Sequence, residues 1–181
     1  MSEIAMLWRE LEELLREIAP TVPPTLSPPA TDSELNALQK DTGLVLPNDF
    51  RQSLQIHNGQ DDPSRLELLT GHGILLSCEE IVKAWRMLCE ILDDVGPIAD
   101  GSEWWNKNYL PIAEYEGDFL CIDLTPQCFG NVHLHVHDSK IERNVAVTYT
   151  GWLSDVRDVF KYRRFSDSEG FIDFWSPGAQ D

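Results

Sequence analysis

The segment Phe119-Leu120-Cys121-Ile122-Asp123-Leu124 is a short, largely apolar run. It is not alone: Val132 to Val136 and Val145 to Tyr149 repeat its character, with Gly, Pro, Asn or Asp in the stretches between them. Apolar runs of this length, bounded by turn formers, read as β-strands. Three in succession predict one antiparallel sheet.

Outward from these strands the period changes. Toward the N-terminus, Ile4, Leu7, Trp8, Leu11, Leu14, Leu15 and Ile18 recur at helical spacing among Glu3, Arg9, Glu10, Glu13, Arg16 and Glu17. Pro20 ends this amphipathic helix, and the five prolines of residues 20–29 predict an extended connector. Thr31-Asp32-Ser33-Glu34 is a capping box that opens a second helix through Leu35 and Leu38, with Gly43 as its left-handed stop. Pro47 suits the first turn of a third helix burying Phe50 and Leu54, which Asn58-Gly59 breaks. After a polar turn at Asp61 to Ser64, Leu66 to Leu69 and Ile74 to Leu76 read as short extended pieces. Ser77-Cys78-Glu79-Glu80 repeats the capping box before a helix carrying Ile81, Trp85, Leu88, Cys89 and Leu92, which ends across Asp93 to Pro97.

Beyond the strands, Trp152, Leu153, Val156, Val159 and Phe160 return to helical spacing. Helices first, strands later and a closing helix predict a single α+β domain, a mainly antiparallel sheet with helices packed against it, and not a Rossmann-like alternation. The organisation reads as an opening helix (1–19), a connector (20–30), the domain proper (31–165) and a tail (166–181). Phe50, Leu54, Trp85, Ile122, Val145 and Trp152 are the expected core.

The chain's 181 residues carry 31 Asp and Glu against 14 Lys and Arg, a formal charge of −17. That charge repels phosphate polymers and anionic lipid, so nucleic acid and membrane are poor partners, and a protein with a basic surface is a better one. The charged residues of the opening helix exclude a signal core or a membrane span, and the expected location is cytoplasmic. Four cysteines without a Cys-x-x-Cys pair read as reduced thiols in such a compartment.

Few residues point to chemistry. His133, His135 and His137 alternate along a strand, where three imidazoles on one face could meet one cation; a metal-dependent hydrolase is therefore one alternative. No His-Glu-x-x-His motif or paired cysteines complete such a site, and the plainer expectation is a solvated or partner-facing row with no metal. His57 with Cys121 or Cys128 has no flanking sequence that marks an activated thiol. Gly71-His72-Gly73 lacks the lysine and third glycine of a phosphate loop. Neither catalytic residues nor a cofactor are expected. Trp104-Trp105-Asn106, followed by Tyr109-Leu110-Pro111-Ile112-Ala113, places large rings beside a rigid or cis-capable proline; one Trp should be core while its neighbour faces outward as an interface anchor. Glu114, Glu116 and Asp118 follow at once. With Trp104, Asp123, His137 and Asp138 they form the candidate partner-binding set.

Several fragments, in order, carry a resemblance: Leu46-Pro47-Asn48-Asp49-Phe50, Ile56-His57-Asn58-Gly59-Gln60, Leu75-Leu76-Ser77 with Glu80-Ile81 and Trp85, Trp104 to Asn106, Leu110 to Ala113, Gly117-Asp118, Cys121 to Leu124, Gly130-Asn131-Val132, His137-Asp138 and Trp152-Leu153. Taken together they resemble Smi1/Knr4 (SUKH) domains over about residues 31–160. The resemblance implies a non-enzymatic α+β domain. It further implies, for the bacterial members, immunity proteins that bind and neutralise a cognate toxin, a class that includes nucleases with basic clefts; fungal relatives instead regulate cell-wall synthesis. Immunity is the leading expectation and a regulatory scaffold the alternative. On this reading the opening helix and proline connector are variable decorations.

Overall fold

The computed structural model describes residues 1–18, 20–61, 73–96, 104–137, 143–162, 165–168 and 171–174, with the backbone course alone at 95, 143, 165–168 and 171–174. The expected extended piece at Leu66 to Leu69, the residues near Pro97, and Asp138 lie outside the described residues.

Helix α1 (Glu3–Ile18) buries Ile4, Leu7, Trp8, Leu11 and Leu15 along one side. Those side chains belong to the main core, where α1 packs against helices α3 (Asn48–Leu54) and α5 (Tyr149–Lys161). The opening helix is thus packed into the same folded unit as the rest. Each fully buried side chain of this size contributes about 1.5–3 kcal/mol. A buried chain of hydrogen bonds fixes the three helices against one another: Trp8 Nε1 donates to Ser53 Oγ at 2.7 Å, and Ser53 Oγ shares a 2.9 Å bond with the Tyr149 hydroxyl. Burial, the largest influence, pushes the Tyr149 phenol well above its ordinary value, so it stays protonated.

Both capping boxes form. Thr31 and Glu34 cap α2 (Asp32–Thr42), and Ser77 and Glu80 cap α4 (Cys78–Val95). Gly43 closes α2 in the left-handed region at φ 71°. Pro47 stands just before α3 as its cap, one residue ahead of the expected place.

Strands β1 (Ile74–Leu75), β2 (Tyr109–Tyr115), β3 (Asp118–Asp123), β4 (Val132–His135) and β5 (Arg143–Ala146) form an antiparallel sheet in sequential order. A separate hairpin pairs β6 (Phe165–Ser168) with β7 (Phe171–Phe174). Strand β2 was hidden in the sequence by Pro111, which has no N–H to donate. The structure tolerates it because the ladder slips between Pro111 and Ala113, and because β1 pairs only with Ala113 and Glu114. No peptide bond is cis among the described residues.

The expected strand from Val145 to Tyr149 is half correct. It ends at Ala146, since the Thr148 side chain caps α5 by accepting from Gly151 N, which makes Tyr149 the first helical residue. Val145 and Trp85, both expected in the core, are only partly buried, whereas Phe50, Leu54, Ile122 and Trp152 are buried as expected. Cys78, Cys89 and Cys121 are buried free thiols and Cys128 is an exposed one.

Strand β3 is covered on both faces. Leu120 and Ile122 enter the main core beneath the helices. Phe119 and Cys121 point the other way, into a smaller core with Leu88, Cys89 and Leu92 of α4 and Trp105. Helix α4 therefore serves two cores, giving Ile81 and Val82 to the first and its C-terminal half to the second.

Candidate functional site

Strands β2 and β3 are joined by Glu116 and Gly117, whose φ angles of 50° and 94° both lie in the left-handed region. Positive φ at both central residues is the geometry of a tight two-residue hairpin turn. The turn projects Glu116 into solvent, while Glu114 Oε1 folds back to accept from Gly117 N at 3.1 Å. Beside them, Asp118 Oδ1 accepts from His137 N at 2.9 Å and from His137 Nδ1 at 2.6 Å. The backbone oxygen of His137 accepts in turn from Trp104 Nε1 at 3.1 Å. Five of the residues singled out in the sequence (Trp104, Glu114, Glu116, Asp118 and His137) are thus gathered around one hairpin. Asp123 is not with them: it lies at the far end of β3, about 16 Å along the strand, where Oδ1 accepts from Thr125 N at 2.7 Å. Asp138, the last of the set, lies outside the described residues.

The histidine row is divided. His133 and His135 are buried, 2% and 3% exposed, while His137 sits exposed on the turn past β4. Register explains the burial, since His133 stands opposite Cys121 and His135 opposite Phe119, both on the smaller-core face. A solvated row, the plainer expectation, is therefore wrong for two of the three. Aromatic rings stand T-shaped to the buried pair: Tyr109 lies 4.4 Å from His133 between ring centroids, and Trp104 and Trp105 each lie 5.1 Å from His135. Among the described residues no group of three or more His, Cys, Asp or Glu is placed to hold a metal ion. Burial is the main influence on both imidazoles and drives them toward neutrality, His133 down to about 4, with His135 lowered as well.

Trp105 is 1% exposed and Trp104 only partly buried, so the tandem pair splits as its sequence suggests, one ring into the core and one to the rim. The alternation of the histidines was visible in the sequence. The cover over them was not, because it comes from a helix and a loop distant along the chain.

The motif His57-Asn58-Gly59-Gln60 has a structural part. His57 Nδ1 lies 3.2 Å from Ser27 O, with Nε2 3.1 Å from Glu12 on α1. Asn58 Oδ1 accepts from Cys78 N at 2.8 Å, while Asn58 Nδ2 donates to Glu34 at 3.2 Å. Gln60 Nε2 donates to Thr25 Oγ1 and Gln60 Oε1 accepts from Leu75 N. Three side chains thereby join α1, the connector, the start of α2, β1 and the start of α4.

A sequentially ordered antiparallel sheet, with helices over it and an acidic hairpin at its end, defines an α+β domain of the helix-covered open-sheet class. Residues 29–155 match the model of the SMI1 / KNR4 family (SUKH-1), and the chain belongs to that family. Over 102 residues it is 31% identical to a KNR4/SMI1 homolog of Kluyveromyces lactis, covering 51% of this chain and 18% of that protein. It is 34% identical over 83 residues to a glucan synthesis regulatory protein of Neurospora crassa (46% and 16%), and 30% identical over 102 residues to the cell wall assembly regulator SMI1 of Saccharomyces cerevisiae (51% and 20%). The matched part thus spans a fifth or less of these relatives' own length. No helix among the described residues is long and apolar enough to cross a membrane.

Proposed function

We propose that this chain is a non-catalytic, protein-binding regulatory domain whose partner presents a basic surface to the β2–β3 hairpin. The observation that carries the reading is the hairpin itself, where three carboxylates stand beside a partly exposed Trp and an exposed His. Such a rim suits an interface in which charge speeds and orients encounter and an aromatic ring anchors contact. The overall −17 charge adds long-range attraction toward a basic partner. The curated relatives named above are regulators of glucan synthesis and cell-wall assembly, which favours regulation over the toxin neutralisation that the sequence first suggested.

The test is affinity purification of the full chain from its native cells, in parallel with Glu116→Lys. The reading expects partners that bind more weakly as salt rises and are depleted by the reversed charge. One tight partner that is a toxin encoded beside this gene would return the assignment to immunity. Partners indifferent to both salt and Glu116→Lys would overturn the hairpin as the contact surface.

A further inference from the structure

Two buried imidazole nitrogens in the smaller core, His133 Nε2 and His135 Nε2, have no hydrogen-bond partner among the described residues, and Trp105 Nε1 beside them has at most the weakly accepting Cys89 thiol. Buried polar atoms are normally satisfied, so this grouping is a concentrated weakness. From this placement we infer that the segment before β2, residues 104–108 with Trp104 and Trp105, is an acid-released lid: uptake of protons by His133 and His135 frees it from the sheet while the main core stays folded.

The geometry separates the lid from the rest. Trp104 and Trp105 rest against His135, Tyr109 at the start of β2 rests against His133, and the segment is also held by Trp104 Nε1 donating to His137 O and Trp85 Nε1 donating to Lys107 O; the smaller core it closes shares no buried side chain with the main one. A proton added to either ring would place a charge in a buried site where Nε2 has no hydrogen-bond partner, and burial without a partner disfavours the charged form. The groups around the pair offer little relief. From α4 come Cys89 and Asp93, and Asp93 already accepts from Lys107 of the lid at 2.7 Å. Strand β2 supplies Tyr109 and Glu114, and β3 supplies Asp118, Cys121 and Asp123. Asp118 is committed to His137 and Asp123 to Thr125 N. His137 lies beyond β4, and Arg143 of β5 stands opposite Leu134. Burial is the main influence against the charged imidazoles, and with His135 and His137 acting in the same direction it outweighs Asp123 and Asp118, which favour them.

The sign follows from the depressed values. The closed lid binds fewer protons than the open one, so closure is complete above the ordinary imidazole value of about 6.5 and weakens as pH falls from there toward about 4. Each histidine shifts the open-to-closed ratio by up to about tenfold per pH unit within that window.

The cysteines report on this directly, for Cys89 and Cys121 lie under the lid, Cys78 in the main core and Cys128 in solvent. Thiol labelling of the full chain with a dithiodipyridine reagent, which reacts in acid, would be followed by peptide mass spectrometry from about pH 7 to about pH 4.5. Rates would be normalised to the unfolded chain. The inference expects labelling of Cys89 and Cys121 to rise at least tenfold while Cys78 stays protected, and expects His133→Leu/His135→Leu to flatten that rise. Three outcomes would each overturn it: Cys89 and Cys121 as protected as Cys78 throughout, all three buried thiols becoming labelled together, or an unchanged rise in a folded double variant. The wild-type comparison stands alone if that variant does not fold.

Discussion

A β-carbon added to Gly59 would lie 2.4 Å from the backbone nitrogen of Ser77. The strand-to-helix passage into α4 therefore presses on a residue that must lack a side chain, and Gly59 also sits at φ 78°. Gly59→Ala should cost roughly 2–4 kcal/mol, from left-handed strain plus a clash with backbone that cannot swing aside. Gly43→Ala, at φ 71° with nothing within 4 Å of the new carbon, should cost only about 1–2 kcal/mol. Chemical denaturation of the two variants checks the difference, and equal losses would show that the close approach at Gly59 is not what requires glycine.

Removing residues 1–18 should unfold the domain. The five buried side chains of α1 contribute an amount comparable with the whole stability of an ordinary domain, about 5–15 kcal/mol. Loss of the cooperative thermal transition in the truncated chain is the expected result by circular dichroism.

Ser77→Ala should lower stability by about 1 kcal/mol through loss of the α4 cap. Asn58→Ala should cost more, about 2–3 kcal/mol, because Asn58 satisfies Cys78 N in the first turn of the same helix while also holding Glu34. The pair should be non-additive in a double-mutant cycle, since both serve one helix start.

Stability should fall as pH drops from about 6.5 to 5, before most carboxylates titrate. His133 is neutral in the folded chain and takes up a proton when unfolded, so its contribution is complete above the ordinary imidazole value and disappears toward about 4. The full loss is on the order of 3 kcal/mol. Differential scanning calorimetry should show a falling Tm across this window in the wild type and a flatter profile in His133→Leu.

Much of this architecture is legible in the sequence where one residue's chemistry dictates one conformation. Thr31 with Glu34, Ser77 with Glu80, and Gly43 each announce a helix end, and the structure places each there. Strand β2 was concealed because Pro111 argues against a strand interior, and only the short reach of β1 makes room for it. Tyr149 looked like the end of a strand because Val145 to Tyr149 is apolar, yet the Thr148 hydroxyl decides the boundary. At the candidate site, the run of charge from Glu114 to Asp118 is visible in one dimension, and a hairpin keeps such neighbours together. Asp123 is only five residues further on, and an extended strand carries it to the opposite end of the sheet. The burial of His133 and His135 depends on α4 and Trp105, which no local pattern around the histidines encodes.

The central claim is that the β2–β3 hairpin is where this domain meets its partner. It is tested most directly by placing a photo-crosslinking residue at position 116 in the full chain, in its native cells, with position 13 as the comparison; Glu13 is exposed on α1, which packs in the main core. A discrete protein adduct from position 116, absent from position 13 and lost when Asp118 is changed to Asn, is the expected result. Adducts of equal yield from both positions, or from position 13 alone, would contradict it.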